Sequence, residues 1–221
     1  MNKMANSTRL DIYGTFMANV HERSMATIIS TEDKQYSFVE VDQLVNYLAA
    51  RIEQLAGSEK QRILLSLTHS YKIIVAILAV LKTGHSYVPL RKEYGETEIK
   101  RIAMECGSTI VISDHREFSE LQTVLIDDYS DANLSGDERW HQYRPSEEVY
   151  ILYTSGSTGT PKGCSVTYGN LQYILRNLRK IGRYTRNSVV GFSTPFTFDV
   201  SVTEIYAFFW CFNSCLQSYR F

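Results

Sequence analysis

Between Arg62 and Leu90 the chain alternates in a way that few folds accept. Arg62 to Leu67 is a short apolar run that reads as a buried strand. Tyr71 to Lys82 is a nearly all-apolar helix that stops before Gly84, and Tyr87 to Leu90 is a short strand ended by turn residues. The alternation continues downstream. Gly95 to Cys106 reads as a helix, Thr109 to Ser113 and Val124 to Asp127 as strands, and Val149 to Leu152 as another buried strand. Leu171, Ile174, Leu175, Leu178 and Ile181 form an amphipathic helix closed by Gly182, and Val189 to Ser193 follows as a strand. Upstream, Leu10 to His21 reads as a short helix and Ala26 to Ser30 as β-prone. Phe38, Val41, Leu44, Val45, Leu48, Ala49, Ile52 and Leu55 keep helical spacing up to Gly57, which suits a helix C-terminus. Strands alternating with helices predict an α/β layered domain with a largely parallel sheet. Its ligand crevice then lies at the carboxyl ends of the strands.

Two further stretches carry expectations of their own. Ser130 to Glu148 is polar and reads as a surface loop. Ser201 to Phe212 reads as a helix, and because every residue from Ile205 to Phe212 is apolar, it is expected to be buried all round.

Composition narrows the classes of function. With 221 residues, 44% hydrophobic and 21% charged, the chain can bury one substantial core. A formal net charge of −1 leaves no electrostatic footprint for nucleic acid. Met1 to Leu10 lacks the apolar core of a signal peptide, and the apolar runs near 73–81 and 205–212 are too short to span a bilayer. A cytoplasmic protein with no membrane partner is expected. Cys106, Cys164, Cys211 and Cys215 show no paired CxxC spacing and read as free thiols. The five histidines are scattered, so no protein-held metal site is expected.

The chemistry concentrates after the Val149–Leu152 strand, in Tyr153-Thr154-Ser155-Gly156-Ser157-Thr158-Gly159-Thr160-Pro161-Lys162-Gly163. These eleven residues hold three glycines, five Ser/Thr hydroxyls and one lysine. Glycines let backbone N–H groups turn toward an anion, hydroxyls donate further hydrogen bonds, and lysine adds a point charge. The spacing is not that of a G-x-x-x-x-G-K-[ST] P-loop. A second candidate segment, Phe198-Asp199-Val200-Ser201-Val202-Thr203-Glu204, follows the Val189–Ser193 strand and sets one acid, Asp199, among apolar neighbours.

These stretches together resemble the adenylate-forming enzymes: acyl-CoA synthetases, luciferases and the adenylation domains of nonribosomal peptide synthetases. Residues 153–163 resemble the family's phosphate-binding motif. Leu81-Lys82-Thr83-Gly84-His85-Ser86-Tyr87-Val88-Pro89 resembles the second core motif, L-K-A-G-x-A-Y-V-P. Tyr36-Ser37-Phe38-Val39-Glu40 loosely resembles the first, and residues 198–204 resemble the fourth, F-D-x-S-V-x-E. Tyr168 stands where many relatives carry histidine, and it can stack or hydrogen-bond but not carry charge near neutrality. His85 reads as a turn residue and Cys164 as a packing residue.

The resemblance implies the layered sheet-and-helix N-terminal part of the large domain of adenylate-forming enzymes. Residues 1–221 are then a partial AMP-binding domain, truncated before the C-terminal lid domain. It implies that Thr154, Ser155, Gly156, Ser157, Thr158, Gly159, Thr160, Lys162 and Gly163 hold the ATP phosphates, with Lys162 also supplying catalytic charge. Asp199 pairs with a substrate ammonium, and Val200 and Thr203 line the same pocket. Glu204 orders the loop. The implied reaction is amino-acid activation by ATP, with loading onto the phosphopantetheine of a peptidyl carrier protein. The glutamate that would bind Mg2+, the ribose-binding aspartate and the lid lysine would all follow Phe221, so the fragment is expected to be inactive alone or to need a downstream half. The tail 213–221 lacks the glycine-containing turn expected there. A D-alanine–carrier-protein ligase or an acyl-CoA synthetase relative, and a non-catalytic remnant that at most binds nucleotide, remain alternatives.

Overall fold

A computed structural model describes residues 11–126, 138–154, 161–182, 184, 188–209 and 216–218. The chain runs α1 (Ile12–Arg23), β1 (Thr27–Ser30), β2 (Gln35–Ser37), α2 (Phe38–Ala56), β3 (Arg62–Ser66), α3 (Lys72–Lys82), β4 (Ser86–Pro89) and α4 (Glu96–Cys106). It continues through β5 (Ile110–Ser113), β6 (Gln122–Leu125), β7 (Glu148–Thr154), β8 (Lys162–Thr167), α5 (Tyr168–Ile181), β9 (Val190–Phe192), α6 (Val202–Ile205) and β10 (Leu216–Ser218). A six-stranded sheet has the order β6-β5-β3-β4-β7-β8, and a four-stranded sheet the order β2-β1-β10-β9. The larger sheet is parallel except for the β7–β8 pair. The expected α/β layering is therefore present.

Helix α3 is the centre of the core. Every residue from Ile73 to Lys82 is buried, because α3 packs on α2 and on the strands β3 and β4. Helix α2 meets it with Val41, Val45, Leu48, Ala49 and Ile52, all at most 2% exposed. Its start is fixed locally. The Ser37 side chain accepts from Glu40 N at 3.3 Å, and Glu40 Oε2 accepts from Ser37 N at 2.8 Å, a reciprocal capping box. That backbone hydrogen bond from Ser37 is the main reason the Glu40 carboxyl sits below its usual range.

Three expectations are corrected. The segment from Ser201 is not one long helix: a 3-10 turn at Asp199–Ser201, the four-residue α6 and a second 3-10 turn at Ala207–Phe209 replace it. Residues 210–212 lie outside the described residues. The expected burial does hold for Val202, Ile205, Tyr206, Ala207 and Phe208. The reason for the break is directional. Tyr206 points its hydroxyl to Tyr87 at 3.4 Å, while Phe208 packs edge-on against Phe16 of α1 at 6.0 Å. Residues two apart sit about 200° apart around a regular helix, so one straight helix cannot aim both rings at the same core.

The second correction concerns the polar stretch before β7. Its described part, 138–147, is a strap tied to the domain rather than a plain surface loop. Trp140 Nε1 donates to Asp11 Oδ2 at 3.0 Å, His141 N donates to the Lys82 carbonyl at 2.9 Å, and the buried Tyr143 hydroxyl donates to the His85 carbonyl. Gly84 makes room for it: φ is +83°, and a Cβ there would meet His141 Cγ at 2.7 Å. Third, Cys164 is exposed on β8, not packed, whereas Cys106 is buried; both are free thiols. Cys211 and Cys215 lie outside the described residues.

Candidate functional site

The apolar run Val149–Leu152 forms the middle of β7, whose residues are buried from Val149 to Tyr153. The chain then turns back. Strand β8 pairs antiparallel with β7, setting Lys162 opposite Thr154, Gly163 opposite Tyr153 and Cys164 opposite Leu152. The segment expected to be a loop over 154–163 therefore begins and ends as strand. Thr154, Lys162 and Gly163 are exposed at the top of this hairpin. Ser155, Gly156, Ser157, Thr158, Gly159 and Thr160 lie outside the described residues. Gly163 has a packing reason to be glycine, since a Cβ would meet Ile151 Cγ2 at 3.0 Å and Tyr153 Cζ at 3.2 Å.

The base of the hairpin is locked by Glu148. Its Oε1 accepts from Arg62 Nε at 2.8 Å and Ser86 Oγ at 2.9 Å; its Oε2 accepts from Arg62 Nη2 at 3.1 Å and Ser165 Oγ at 2.7 Å. One carboxylate thus joins β3, β4, β7 and β8. Burial pushes its pKa up, but Arg62 and the two serine hydroxyls outweigh it, and the carboxyl sits below its usual range. No local pattern announces this lock, because Arg62 and Glu148 are 86 positions apart.

The second segment leaves β9. The Glu204 carboxylate accepts from Ser193 N at 3.0 Å, Thr194 N at 2.9 Å and Thr194 Oγ1 at 2.7 Å, the bracing role expected of it. Asp199 opens the 3-10 turn, where its Oδ1 accepts from Val200 N at 2.9 Å. Its surroundings differ from the dry, apolar ones the sequence suggested. Asp199 is exposed, and its neighbours Phe198 and Val200 are 50% and 58% exposed. Exposed apolar neighbours in sequence do not make a pocket until other elements cover them. Thr203 turns its hydroxyl back onto the Val200 carbonyl at 2.8 Å.

The two segments are joined through Tyr87 of β4, whose hydroxyl lies 3.4 Å from that of Tyr206 and whose ring stacks on Tyr150 of β7 at 5.2 Å. Tyr150 has its pKa pushed up to about 12, first by burial and then by the charge of Asp199. Tyr168, at the start of α5, stacks on Tyr143 with ring centres 5.0 Å apart, and its hydroxyl accepts from Ile12 N at 2.8 Å. It is a buried joint between α1 and α5. His85 is not a simple turn residue: it is 5% exposed, its Nδ1 accepts from Gln61 N at 3.1 Å, and burial, helped by Lys60 and His141, pushes its pKa down to about 4. A neutral, occupied imidazole of this kind is a structural acceptor.

A cleft of about 800 Å³ opens beside the second segment, with Pro195, Phe196, Thr197 and Phe198 along one wall. Across it lie His69 and Arg91, which sequence reasoning did not single out. Among the described residues no group of three or more His, Cys, Asp or Glu side chains could hold a metal ion. No described helix is long and apolar enough to cross a membrane.

The sequence model of the AMP-binding enzyme family matches residues 16–211. Polyketide synthase PksN of Bacillus subtilis is 26% identical over 211 residues, covering 90% of this chain and 4% of that protein. Phosphinothricin tripeptide synthetase PhsC of Streptomyces viridochromogenes is 27% identical over 203 residues, 88% of this chain and 19% of the relative. Syringomycin synthase SyrB1 of Pseudomonas syringae pv. syringae is 28% identical over 185 residues, 81% and 30% of the two chains. Among solved structures, the N-terminal subdomain of Klebsiella oxytoca NpsA superposes with a TM-score of 0.79 at 17% identity, covering 94% of this chain and 53% of that one. The nonribosomal peptide synthetase FmoA3 superposes with a TM-score of 0.81 at 15% identity, covering 95% and 22%. The chain thus spans less than a third of the three curated relatives and about half of the NpsA subdomain.

Proposed function

The chain belongs to the AMP-binding enzyme family, and on that premise we propose that it is the phosphate- and amine-binding part of an amino-acid-activating adenylation domain. The reaction is attack of the substrate carboxylate on the α-phosphorus of ATP. The bond to the bridging oxygen of the β-phosphate breaks, giving aminoacyl-AMP and pyrophosphate. The substrate supplies the nucleophile, so the protein contributes alignment and charge stabilisation. In this reading the hairpin segment 154–163 binds the β- and γ-phosphates and Lys162 adds positive charge. Asp199 pairs with the substrate's ammonium, and Val200 and Thr203 flank it. The acyl group then passes to the phosphopantetheine thiol of a carrier protein.

The observation that carries this reading is the position of Asp199. It follows β9 in a segment whose Tyr206 meets Tyr87, Tyr87 stacks on Tyr150 of β7, and β7 runs directly into the hairpin. An amine held by Asp199 and phosphates held by the hairpin would flank one reacting carboxylate. The test uses the chain completed with a relative's C-terminal half and measures pyrophosphate release with matched amino and des-amino substrates. Asp199→Asn is expected to lower kcat/KM for the amino acid by up to about tenfold, because Asp199 is exposed and an exposed ion pair contributes only about 1 kcal/mol. The des-amino substrate should be affected far less. Lys162→Ala should slow both substrates alike. Equal slowing of both by Asp199→Asn would reduce Asp199 to a loop residue and remove the amino-acid assignment.

A further inference from the structure

The 800 Å³ cleft lies where the topology of the larger sheet changes direction. From β3 the chain crosses to β4 on one side, whereas β5, on the other side of β3, leads outward to β6. Connections leaving β3 and β5 therefore part company, and open α/β sheets bind ligands outside the carboxyl ends of strands at such a point. Asp114, just past β5, fixes this opening by accepting from Thr68 N, just past β3, at 3.0 Å. The cleft begins beside it, with Leu67 and Leu90 as an apolar floor.

Its walls are flat and rigid. Tyr36 and Tyr71 stack at 4.4 Å between ring centres. His69 stacks on Phe192 at 4.3 Å and donates from Nε2 to the Phe192 carbonyl at 2.9 Å, which holds its ring in place. Phe196 and Phe198 close the far side. Into this setting comes Arg91, immediately after Leu90. Among the described residues its buried Nε has no hydrogen-bond partner, while the partly exposed side chain lines the cleft. A guanidinium offers further N–H donors in a planar fork that suits an oxyanion.

We propose that this crevice binds a small molecule with a flat apolar body and one oxyanion group, carboxylate or phosphate, held by Arg91. The aromatic walls take the body, and the guanidinium takes the oxygens through parallel N–H donors. Among the described residues of 154–163, neither Thr154 nor Lys162 borders the cleft. Glu32, Asp33 and Glu93 also line it, but so do Lys34, Lys72 and Lys92, so these charges balance and Arg91 tips the cleft toward an anion.

The test is isothermal titration of the purified 221-residue protein with phenyl phosphate, benzoate and benzyl alcohol, repeated on Arg91→Met, Arg91→Lys and Lys162→Ala. Saturable binding of at least one of the two anions is expected, and whichever binds more tightly identifies the oxyanion. Benzyl alcohol should bind at least tenfold more weakly. Arg91→Met should bring the anion down to the level of the alcohol, and Arg91→Lys should retain part of the difference. In Lys162→Ala the part of the anion affinity that depends on Arg91 should persist. Anion binding lost in Lys162→Ala but kept in Arg91→Met would place the anion on the hairpin and overturn the proposal. So would absence of saturable binding, or equal affinity for anion and alcohol. Because no step of activation is measured, failure here leaves the amino-acid reading standing, and failure of that reading leaves this one standing.

Discussion

Helix α3 and the segment 202–209 are built from similar material and end as different structures. Both are apolar runs with buried side chains: Ile73 to Leu81 in one, and Val202, Ile205, Tyr206, Ala207 and Phe208 in the other. The first is a single eleven-residue helix, and the second is a four-residue helix followed by a 3-10 turn. The difference lies in the neighbours. Helix α3 is sandwiched between α2 and a parallel sheet, so any side chain it presents finds a similar partner. The segment 202–209 meets a strand tyrosine on one side and an α1 phenylalanine on another, and its backbone bends to serve both. Uniform burial preserves a helix, whereas burial against separate partners can break one.

The largest effect that can test this contrast is a cavity. Ile77→Ala should destabilise the protein by about 2–5 kcal/mol, because the elements around α3 cannot collapse into the gap. Ile205→Ala should cost about 1 kcal/mol or more less, since a short, already irregular segment can shift. Urea denaturation of both variants measures the two values, and equal losses would show that the bent segment is packed as rigidly as α3.

A smaller loss is expected when the regular half is loosened at its strand ends. Glu148→Gln keeps the shape but gives up the ionic part of the lock on Arg62. Charge-assisted hydrogen bonds contribute roughly 1.5–3 kcal/mol, and the exposure of Arg62 lowers the expected cost to about 1–2 kcal/mol. The pH dependence has a definite sign. The folded-state pKa is lowered, so the stabilisation is fully present above the ordinary glutamate value near 4.3 and is lost as pH falls through the folded value. The gap between parent and variant should therefore be constant from about pH 7 to 5 and shrink below about pH 4 in denaturation curves. A gap that widened on acidification would contradict the lock.

The smallest effect sharpens what bends the 202–209 segment. The Tyr87–Tyr206 hydroxyl contact is 3.4 Å, long for an O–H···O bond. Tyr206→Phe should cost less than about 1 kcal/mol and leave the far-ultraviolet circular dichroism unchanged, because the ring rather than the hydroxyl fills the space. A loss as large as that of Ile77→Ala would make the hydroxyl pair the cause of the bend.

Elements whose cause is local were legible in the sequence. Periodicity and stop signals gave α2, α3, α4 and α5 to within a few residues, and the turn chemistry placed both candidate loops after strands. Strands β2 and β10, three residues each, carry too little pattern to be read and form by pairing, β2 with β1 and β10 with both β1 and β9. At the candidate site, the bracing of the 193–194 turn by Glu204 was foreseen because its motif spacing is local. The exposure of Asp199 was not, since apolar neighbours in sequence say nothing about what covers them. The contribution of Arg91 and His69 to one cleft was equally hidden, because it needs the ends of β3, β4 and β9 to converge.

By itself, then, the sequence determined the alternation of strands and helices, the all-apolar centre at α3, and the hydroxyl- and glycine-rich stretch after β7. Each of these follows from side-chain chemistry read over a few neighbouring residues. The tertiary structure alone decided the strand order, the Glu148 lock across four strands, the break after Ile205, and the crevice that Arg91 lines. These depend on which distant residues share a space, and short-range periodicity carries no information about that.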